Sequence, residues 1–308
     1  MTDARRCALI AIDWGTTSAR AYRLDGNGAV LAAKSAPLGI QAVADRQFAS
    51  ALDSLLGSWR DDAVPRVACG MIGSRQGWVE APYAACPVDL AELGRTLTRT
   101  PGGELAIVPG AQCTDASGIP DVMRGEETQV AGALETDRDR MLAVLPGTHS
   151  KWAIVERRQL TEFATFMTGE LFAVLIAHSI LGRMADRAAP SGTAAAAFAR
   201  GVEQGLAGSG FSHMIFGART LALTGELAPS EVGDWLSGAL IGQEIYAARA
   251  WAELPRVDVD AVTVIGGDTL AARYIGALEQ AGLAARLGPA DAAASGVFRI
   301  AQRAGIVD

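Results

Sequence analysis

Arg6–Asp13 is a short apolar run that ends in a carboxylate. It turns at once, through Gly15, Thr16 and Thr17, into Ser18–Leu24, where Ala19, Ala21 and Leu24 are mixed with Arg20 and Arg23. The first stretch has the composition of a buried strand and the second the alternation of a strand with one wet face. Asp25-Gly26-Asn27-Gly28 then marks a hairpin, and Ala29–Lys34 returns as a third strand. So the chain opens strand, tight turn, strand, hairpin, strand. The turn Asp13-Trp14-Gly15-Thr16-Thr17-Ser18 also has the makings of a phosphate cradle. Gly15 lets backbone approach an anion, successive N–H groups and the Thr hydroxyls donate, and Asp13 can hold a hydrated Mg²⁺ beside the same phosphates. An ordinary strand–turn–strand with Thr capping the turn fits these residues too.

Composition excludes several classes. Of 308 residues, 50% are hydrophobic and 20% charged, which gives a globular protein with a sizeable core, in one large domain or two medium ones. A net charge of −7 provides no general attraction to nucleic acid or an anionic membrane. The N-terminal apolar stretch meets Asp13 too soon for a secretory signal. The longest apolar run, Leu171–Ala177, is far short of the roughly 20 residues of a membrane span, and a cytoplasmic location is expected. Cys7, Cys69, Cys86 and Cys113 form no CxxC pair and read as reduced, structural cysteines. His149, His178 and His213 have no paired spacing for a metal, and His178 reads as a helix residue against the core.

Further on, Asp45–Arg60 has helical periodicity with Asp45 as a potential N-cap. Arg66–Cys69 is strand-like and runs into Gly73-Ser74-Arg75-Gln76-Gly77-Trp78, while Pro82–Gly103 reads as irregular. Gly125–Glu135 reads as a helix. Met141–Leu145 and Lys151–Glu156 are strands around a second turn of Gly plus hydroxyls, Gly147-Thr148-His149-Ser150, and Gln159–Thr165 follows as a further strand. Lys151 could serve that turn or be a solvated charge. From 168 to 254 the pattern is helical: Thr168–Met184, Gly192–Leu206, Phe211–Leu223 and Ser230–Leu254. Ala261–Ile265, Gly266-Gly267 and a helix from Asp268 make a strand–Gly–Gly–helix unit. Its glycines would let a flat ligand lie on the backbone at a positive helix end, or it is a plain turn capped by Asp268 or Thr269. A short strand at Ala284–Leu287 and a helix over Ala290–Ala304 close the chain.

Two strand–turn–strand phosphate loops followed by a late Gly-Gly turn, in this order, resemble the sugar kinase, Hsp70 and actin superfamily. Within it, the chain resembles the 2-dehydro-3-deoxygalactonokinase family in Ile12–Arg20, Cys69–Trp78, Asp121–Gln129 and Leu145–Trp152, and the likeness spans almost the whole chain. The resemblance implies an α/β fold of two ribonuclease-H-like lobes around a nucleotide cleft. The expected bounds are 1–122 and 123–308, with a helical insertion at 168–254 and the last helix packing back on the first lobe. Closure over the ligands would exclude water. The resemblance also implies ATP-dependent phosphorylation of 2-dehydro-3-deoxy-D-galactonate at its C6 hydroxyl, in bacterial galactonate breakdown, with Mg²⁺.

By the same resemblance, Gly15, Thr16 and Thr17 form the first phosphate loop, Gly147, Thr148 and His149 the second, and Gly266 and Gly267 the adenosine turn. Asp13 would serve the metal. Related sugar kinases place an Asp roughly twenty residues before the second loop. Here Glu126 has that spacing, which makes it the first candidate for the base, ahead of Asp121 and Glu127. These acids would equally suit a helix N-terminus. The carboxylate of a keto sugar acid calls for an Arg or a set of backbone donors. Arg75 is the first candidate, beside Ser74, Gln76 and Trp78, with Arg20 and Arg124 as alternatives. Phosphate loops define the donor and not the acceptor. A kinase for another sugar or sugar acid, such as the gluconate epimer, fits them, as does a nucleotide-binding sensor without turnover. A small-molecule substrate is the expected partner, with room for a homodimer. No GxxxxGK[ST], GxGxxG or GxSxG string supports a P-loop, Rossmann or hydrolase reading.

Overall fold

The computed structural model describes residues 6–186, 188, 192–252 and 260–308; the readings of residues 1–5 and of a helix end at Leu254 lie outside them. The chain is α/β and divides into two compact units: Met1–Met141 with Ala153–Phe163 and Pro289–Asp308, and Leu142–Trp152 with Ala164–Gly288.

The first unit begins with β1 (Leu9–Trp14), β2 (Ala19–Leu24) and β3 (Val30–Ala36), then α1 (Phe48–Leu56) and β4 (Arg66–Gly70). β1 is buried along its length apart from half-buried Asp13. That suits a central strand covered on both faces: β1 pairs antiparallel with β2 and parallel with β4. The Asp25–Gly28 turn forms as expected, with the Asp25 carboxylate accepting from the N–H groups of Asn27 and Ala29, both at 2.9 Å. α1 buries Phe48, Leu52, Leu55 and Leu56 in the core that holds Ile12 and Trp14. Asp45 does not cap it. Asp45 and Arg46 take positive φ in a tight turn, and the helix starts after Gln47.

Where an irregular stretch was expected, short strands form: β5 (Tyr83–Ala85), β6 (Val88–Asp89) and β7 (Thr98–Arg99). With β8 (Ala106–Ile107) the main sheet has the order β3-β2-β1-β4-β8-β7. β9 (Gly110–Thr114) and β10 (Pro120–Met123) join β5 in a three-stranded sheet, β10-β9-β5. α2 (Glu126–Ala133) follows. The next strands are β11 (Met141–Leu145), β12 (Ser150–Glu156) and β13 (Gln159–Phe166). Arg157 and Arg158 both take positive φ, the geometry of a two-residue hairpin turn.

The second unit continues with α3 (Thr168–His178), α4 (Ala195–Leu206), α5 (Phe211–Leu223), α6 (Val232–Trp251), β14 (Val262–Val264), α7 (Asp268–Gln280) and β15 (Ala285–Leu287). β11, β14 and β15 are parallel, and the strand order is β15-β14-β11-β12-β13, with β6 beyond β13. This succession repeats that of β8-β4-β1-β2-β3. A helical core forms around Trp235, Leu236, Ala239 and Leu240 of α6. His178 is exposed at the end of α3, not set against a core.

The compact units do not follow a break at 122/123. α2 belongs with the first unit, as does the last helix, α8 (Ala292–Arg303), and the two pack closely through Gly132 and Gly296. Among the described residues, no helix is long and apolar enough to cross a membrane.

Candidate active site

In the first unit, the loop after β1 is held from below. Gly15 N–H donates to Ser18 O (2.9 Å), Ile40 N–H to Gly15 O (3.1 Å) and Gln41 N–H to Thr16 O (3.2 Å). Gly39 lies so close that a Cβ there would be 2.3 Å from the carbonyl carbons of Thr16 and Thr17. Trp14 Nε1 anchors the approach on Leu38 O at 2.7 Å. Thr16 and Thr17 are left exposed on a turn that is fixed before any ligand arrives.

Asp13 stands at the mouth of this turn, paired in register with Arg20 and with Cys69. Burial raises its carboxyl above the usual range, and Arg20 opposes the shift. At the end of β4, Gly70 has φ +94°, and a Cβ on it would be 2.7 Å from Trp14 O. Gly125, φ +110°, has its Cβ position 3.0 Å from Gly70 Cα. Only glycine fits either place, for conformation and for space. These two bare positions let the start of α2 reach the ends of β1 and β4.

That approach puts three carboxylates around one thiol. Burial, then the charges of Asp13, Glu127 and Glu126, push the Cys69 thiol far up. Half-buried Glu126 accepts from Arg124 N–H through Oε2 at 3.0 Å. Glu127 is fully buried. Its Oε2 accepts from Gly125 N–H (2.7 Å) and its Oε1 from Thr128 Oγ1 (2.8 Å). Burial first, and the Glu126 charge second, lift Glu127 to about 8. Asp121 lies apart from this group. It sits on β10, accepts from Val122 N–H at 2.7 Å, and its charge acts on Cys113.

The 73–78 turn is tightly wound, with Ser74 N–H on Met71 O, Gly77 N–H on Ser74 O and Trp78 N–H on Ile72 O. It does not gather its polar side chains into a pocket. The Arg75 side chain is 87% exposed and 3.6 Å from Glu80, and Gln76 is exposed. Trp78 stacks on Phe48 with centroids 6.3 Å apart, against the core. The Ser74 hydroxyl, by contrast, is buried without a hydrogen-bond partner. Arg124 is buried as well, donating from Nη2 to Ala81 O at 2.8 Å with its guanidinium 4.2 Å over the Tyr83 ring.

The second unit holds the other loop. Gly169, at the start of α3, packs on it so closely that a Cβ would be 2.4 Å from Gly147 O and 2.9 Å from Thr148 Cα. Glu170 N–H donates to Thr148 O at 2.9 Å, and Glu170 Oε2 meets His149 Nε2 at 2.5 Å. Thr148 and His149 are exposed. Lys151 is not a solvated charge: it is buried, with Nζ donating to Thr165 Oγ1 at 2.6 Å. Gly266 and Gly267 are exposed at the start of α7, and Gly266 has its Cβ position 3.6 Å from Pro146 Cδ, next to the same loop. Neither Asp268 nor Thr269 caps α7; Gly267 occupies that place. Between the loop and α7 opens a cavity of about 250 Å³, lined among others by Gly147, Phe172, Leu240, Thr269, Leu270 and Arg273.

Under this cavity lies a buried carboxylate that the sequence reading missed. Glu244 of α6 accepts from Trp152 Nε1 (2.8 Å), from Tyr274 Oη (2.8 Å) and from Thr168 Oγ1. Ser150 Oγ joins through Tyr274 Oη at 2.7 Å. Burial raises the Glu244 carboxyl, and these hydrogen bonds oppose the rise. One side chain thereby ties together β12, α3 and α7, the three elements that flank the loop and the Gly-Gly turn. A charge within the apolar run of α6 was the available signal, because such a charge is kept only when paired or hydrogen-bonded.

A sequence model of the 2-keto-3-deoxy-galactonokinase family matches residues 13–300. The 2-dehydro-3-deoxygalactonokinase of Escherichia coli (strain K12) is 35% identical over 273 residues, 89% of this chain and 90% of that protein. A crystal structure from Sinorhizobium meliloti, assigned to the same kinase activity, superposes with a TM-score of 0.84 at 37% identity, over 96% of this chain and 98% of that one. The activator of 2-hydroxyisocaproyl-CoA dehydratase from Clostridium difficile shares the fold alone, with a TM-score of 0.51 at 11% identity, over 96% and 95% of the two chains. With a family match over nearly its full length and a relative this similar, the chain belongs to the 2-keto-3-deoxy-galactonokinase family and is a carbohydrate kinase of the actin-like α/β fold.

Proposed function

We propose that the chain transfers the γ-phosphoryl group of ATP to the C6 hydroxyl of 2-dehydro-3-deoxy-D-galactonate, giving the 6-phosphate and ADP, as a step of galactonate breakdown. The observation that supports the reading within the molecule is the close approach of the start of α2 to the ends of β1 and β4, with the charges of Asp13 and Glu126 both acting on the Cys69 thiol, next to the fixed turn after β1. Phosphoryl transfer to an alcohol rests on positioning and charge stabilisation, with a carboxylate to accept the hydroxyl proton. Glu126 is that base. The C6 oxygen forms a bond to the γ-phosphorus, the bond from γ-phosphorus to the β,γ-bridging oxygen breaks, and the hydroxyl proton passes to Glu126. Glu127, buried and lifted to about 8, already carries a proton near neutral pH, so it is suited to holding the start of α2 and has no free place for that proton.

In the first unit, Gly15, Thr16 and Thr17 would donate to phosphate oxygens; in the second unit, Gly147, Thr148 and His149 would form a phosphate turn of the same kind. Gly266 and Gly267 would receive the adenosine, with the adjoining cavity taking the base. Asp13 fits Mg²⁺ as a desolvated carboxylate at a phosphate turn. Among the described residues no three His, Cys, Asp or Glu side chains form a metal cage. Asp13 would therefore be the single protein carboxylate holding the ion. Such an ion would supply charge neutralisation on the transferring group.

The test is ADP release with Mg-ATP against 2-dehydro-3-deoxy-D-galactonate, its gluconate epimer, galactonate, galactose and glycerol. Turnover preferring the first is expected. Preference for the epimer would change the acceptor, and ATP binding without turnover on any acceptor would sink the catalytic reading.

A further inference from the structure

We propose that Arg124, assisted by the Ser74 hydroxyl, receives the C1 carboxylate of the sugar acid. This rests on the reading of the chain as a kinase for a keto-deoxy sugar acid and names the residues that distinguish the acid from a neutral sugar.

Arg124 is only 8% exposed, so its guanidinium has been taken out of water. Of its three nitrogens, Nη2 donates to Ala81 O, while Nε and Nη1 are buried without an acceptor. Burying a charged group with unmade hydrogen bonds is costly, and such groups are rare unless a ligand completes them. The plane of the guanidinium is set by the Tyr83 ring at 4.2 Å. Its Nη1 edge lies against Gly73, where a Cβ would come within 3.1 Å of it. Ser74 is the next residue, and its hydroxyl is the other buried polar atom of this turn without a partner. A planar, charged donor fork with a neighbouring hydroxyl is what a carboxylate binds. Arg124 also directly precedes Gly125 and Glu126, so the group that holds the acid end is separated from the proposed base by a single residue. Arg75 lacks these properties, being solvent-exposed and near Glu80.

Steady-state kinetics and calorimetric binding of the acid to R124Q, R124K, R75Q and wild type test this. The second acceptor is the same sugar with its C1 acid replaced by the amide. Charged hydrogen bonds of this kind correspond to about 10- to 150-fold in binding. R124Q is expected to raise KM and Kd for the acid by that factor with kcat within about threefold, and to leave kcat/KM for the amide nearly unchanged. R75Q is expected to match wild type. Equal losses on acid and amide would make Arg124 a structural residue and overturn the proposal, as would an unchanged KM in R124Q or a selective loss in R75Q. If R124Q fails to fold, R124K, which keeps charge and stem but loses the fork, is expected to show the same selective rise, and its absence overturns the proposal. Failure of wild type to use any keto-deoxy sugar acid would instead defeat the underlying reading.

Discussion

Gly132 of α2 and Gly296 of α8 lie backbone to backbone: a Cβ on Gly296 would be 1.9 Å from Thr128 O, and one on Gly132 1.9 Å from Ala292 O. Arg299 of α8 adds hydrogen bonds from Nη1 to Ala131 O and Leu134 O at the far end of α2. The helix that begins with Glu126 and Glu127 is therefore seated by residues about 165 positions later in the chain. Substituting Gly296 with Ala must push the helices apart. Overpacking of this kind costs about 1–3 kcal/mol, and more where backbone is the obstacle. G296A is expected to lower the melting temperature and to reduce kcat more than KM for ATP. Wild-type kcat in a destabilised G296A would show that α2 placement does not matter to the chemistry.

Three candidate acids, Glu126, Asp13 and Asp121, are separable by mutation. Glu126→Ala and Asp13→Ala are each expected to lower kcat by about 10²- to 10⁴-fold, the range for losing a positioned proton acceptor or charge stabiliser. Neither should unfold the protein, since neither side chain is part of the apolar core. Asp121→Ala, on β10 and away from the Cys69 group, is expected to stay near wild type. Kinetics paired with thermal melts check all three, and wild-type rates in E126A and D13A together would remove the site assignment.

The opening strands β1–β3, the turn after β1 and the ends of α5 were legible because each is a local signal: an apolar run, a Gly-Thr turn, a helical period. The start of α1 was misplaced because Asp45 has the composition of a cap, whereas the chain spends it in a positive-φ turn. The unit bounds were shifted because α2 is assigned by its partner α8, a contact with no local trace beyond two glycines. In the candidate site, residue types drew attention to the turns after β1 and β11 and at the start of α7. They could not show that Arg75 faces solvent while Arg124, the lesser candidate, is buried with unmade bonds. Glu244 escaped notice for the same reason, since its worth lies in three partners distant in sequence.

Glu244 should respond differently to two substitutions. Gln keeps an acceptor for part of the Trp152, Thr168 and Tyr274 donor set, while Leu leaves these buried donors unpaired, at about 1–3 kcal/mol each. E244L is expected to be strongly destabilised, with E244Q between it and wild type. If the hub positions the second loop and α7, E244Q should raise KM for ATP several-fold with little change in the sugar-acid KM. Equal changes in both would mark Glu244 as purely structural.

Glu127 gives the fold a pH dependence whose sign is fixed. Its carboxyl ordinarily titrates near 4.5 and is lifted to about 8 by burial, with the Glu126 charge adding to it. Between those values the folded protein holds a proton that the unfolded chain has released, so stability falls as pH rises. The contribution of this group is fully present below about 4.5 and is lost as pH passes through about 8. Denaturant unfolding from pH 5 to 9 is expected to show a decline that Glu127→Gln flattens, because the amide fills the same space with no proton to lose. Gln also keeps an oxygen for the Gly125 N–H, so the variant should fold. An equal decline in wild type and E127Q would place the titration elsewhere. A stability that rises in wild type across this range and is flattened in E127Q would mean that Glu127 is held as the carboxylate, with its hydrogen bonds outweighing burial.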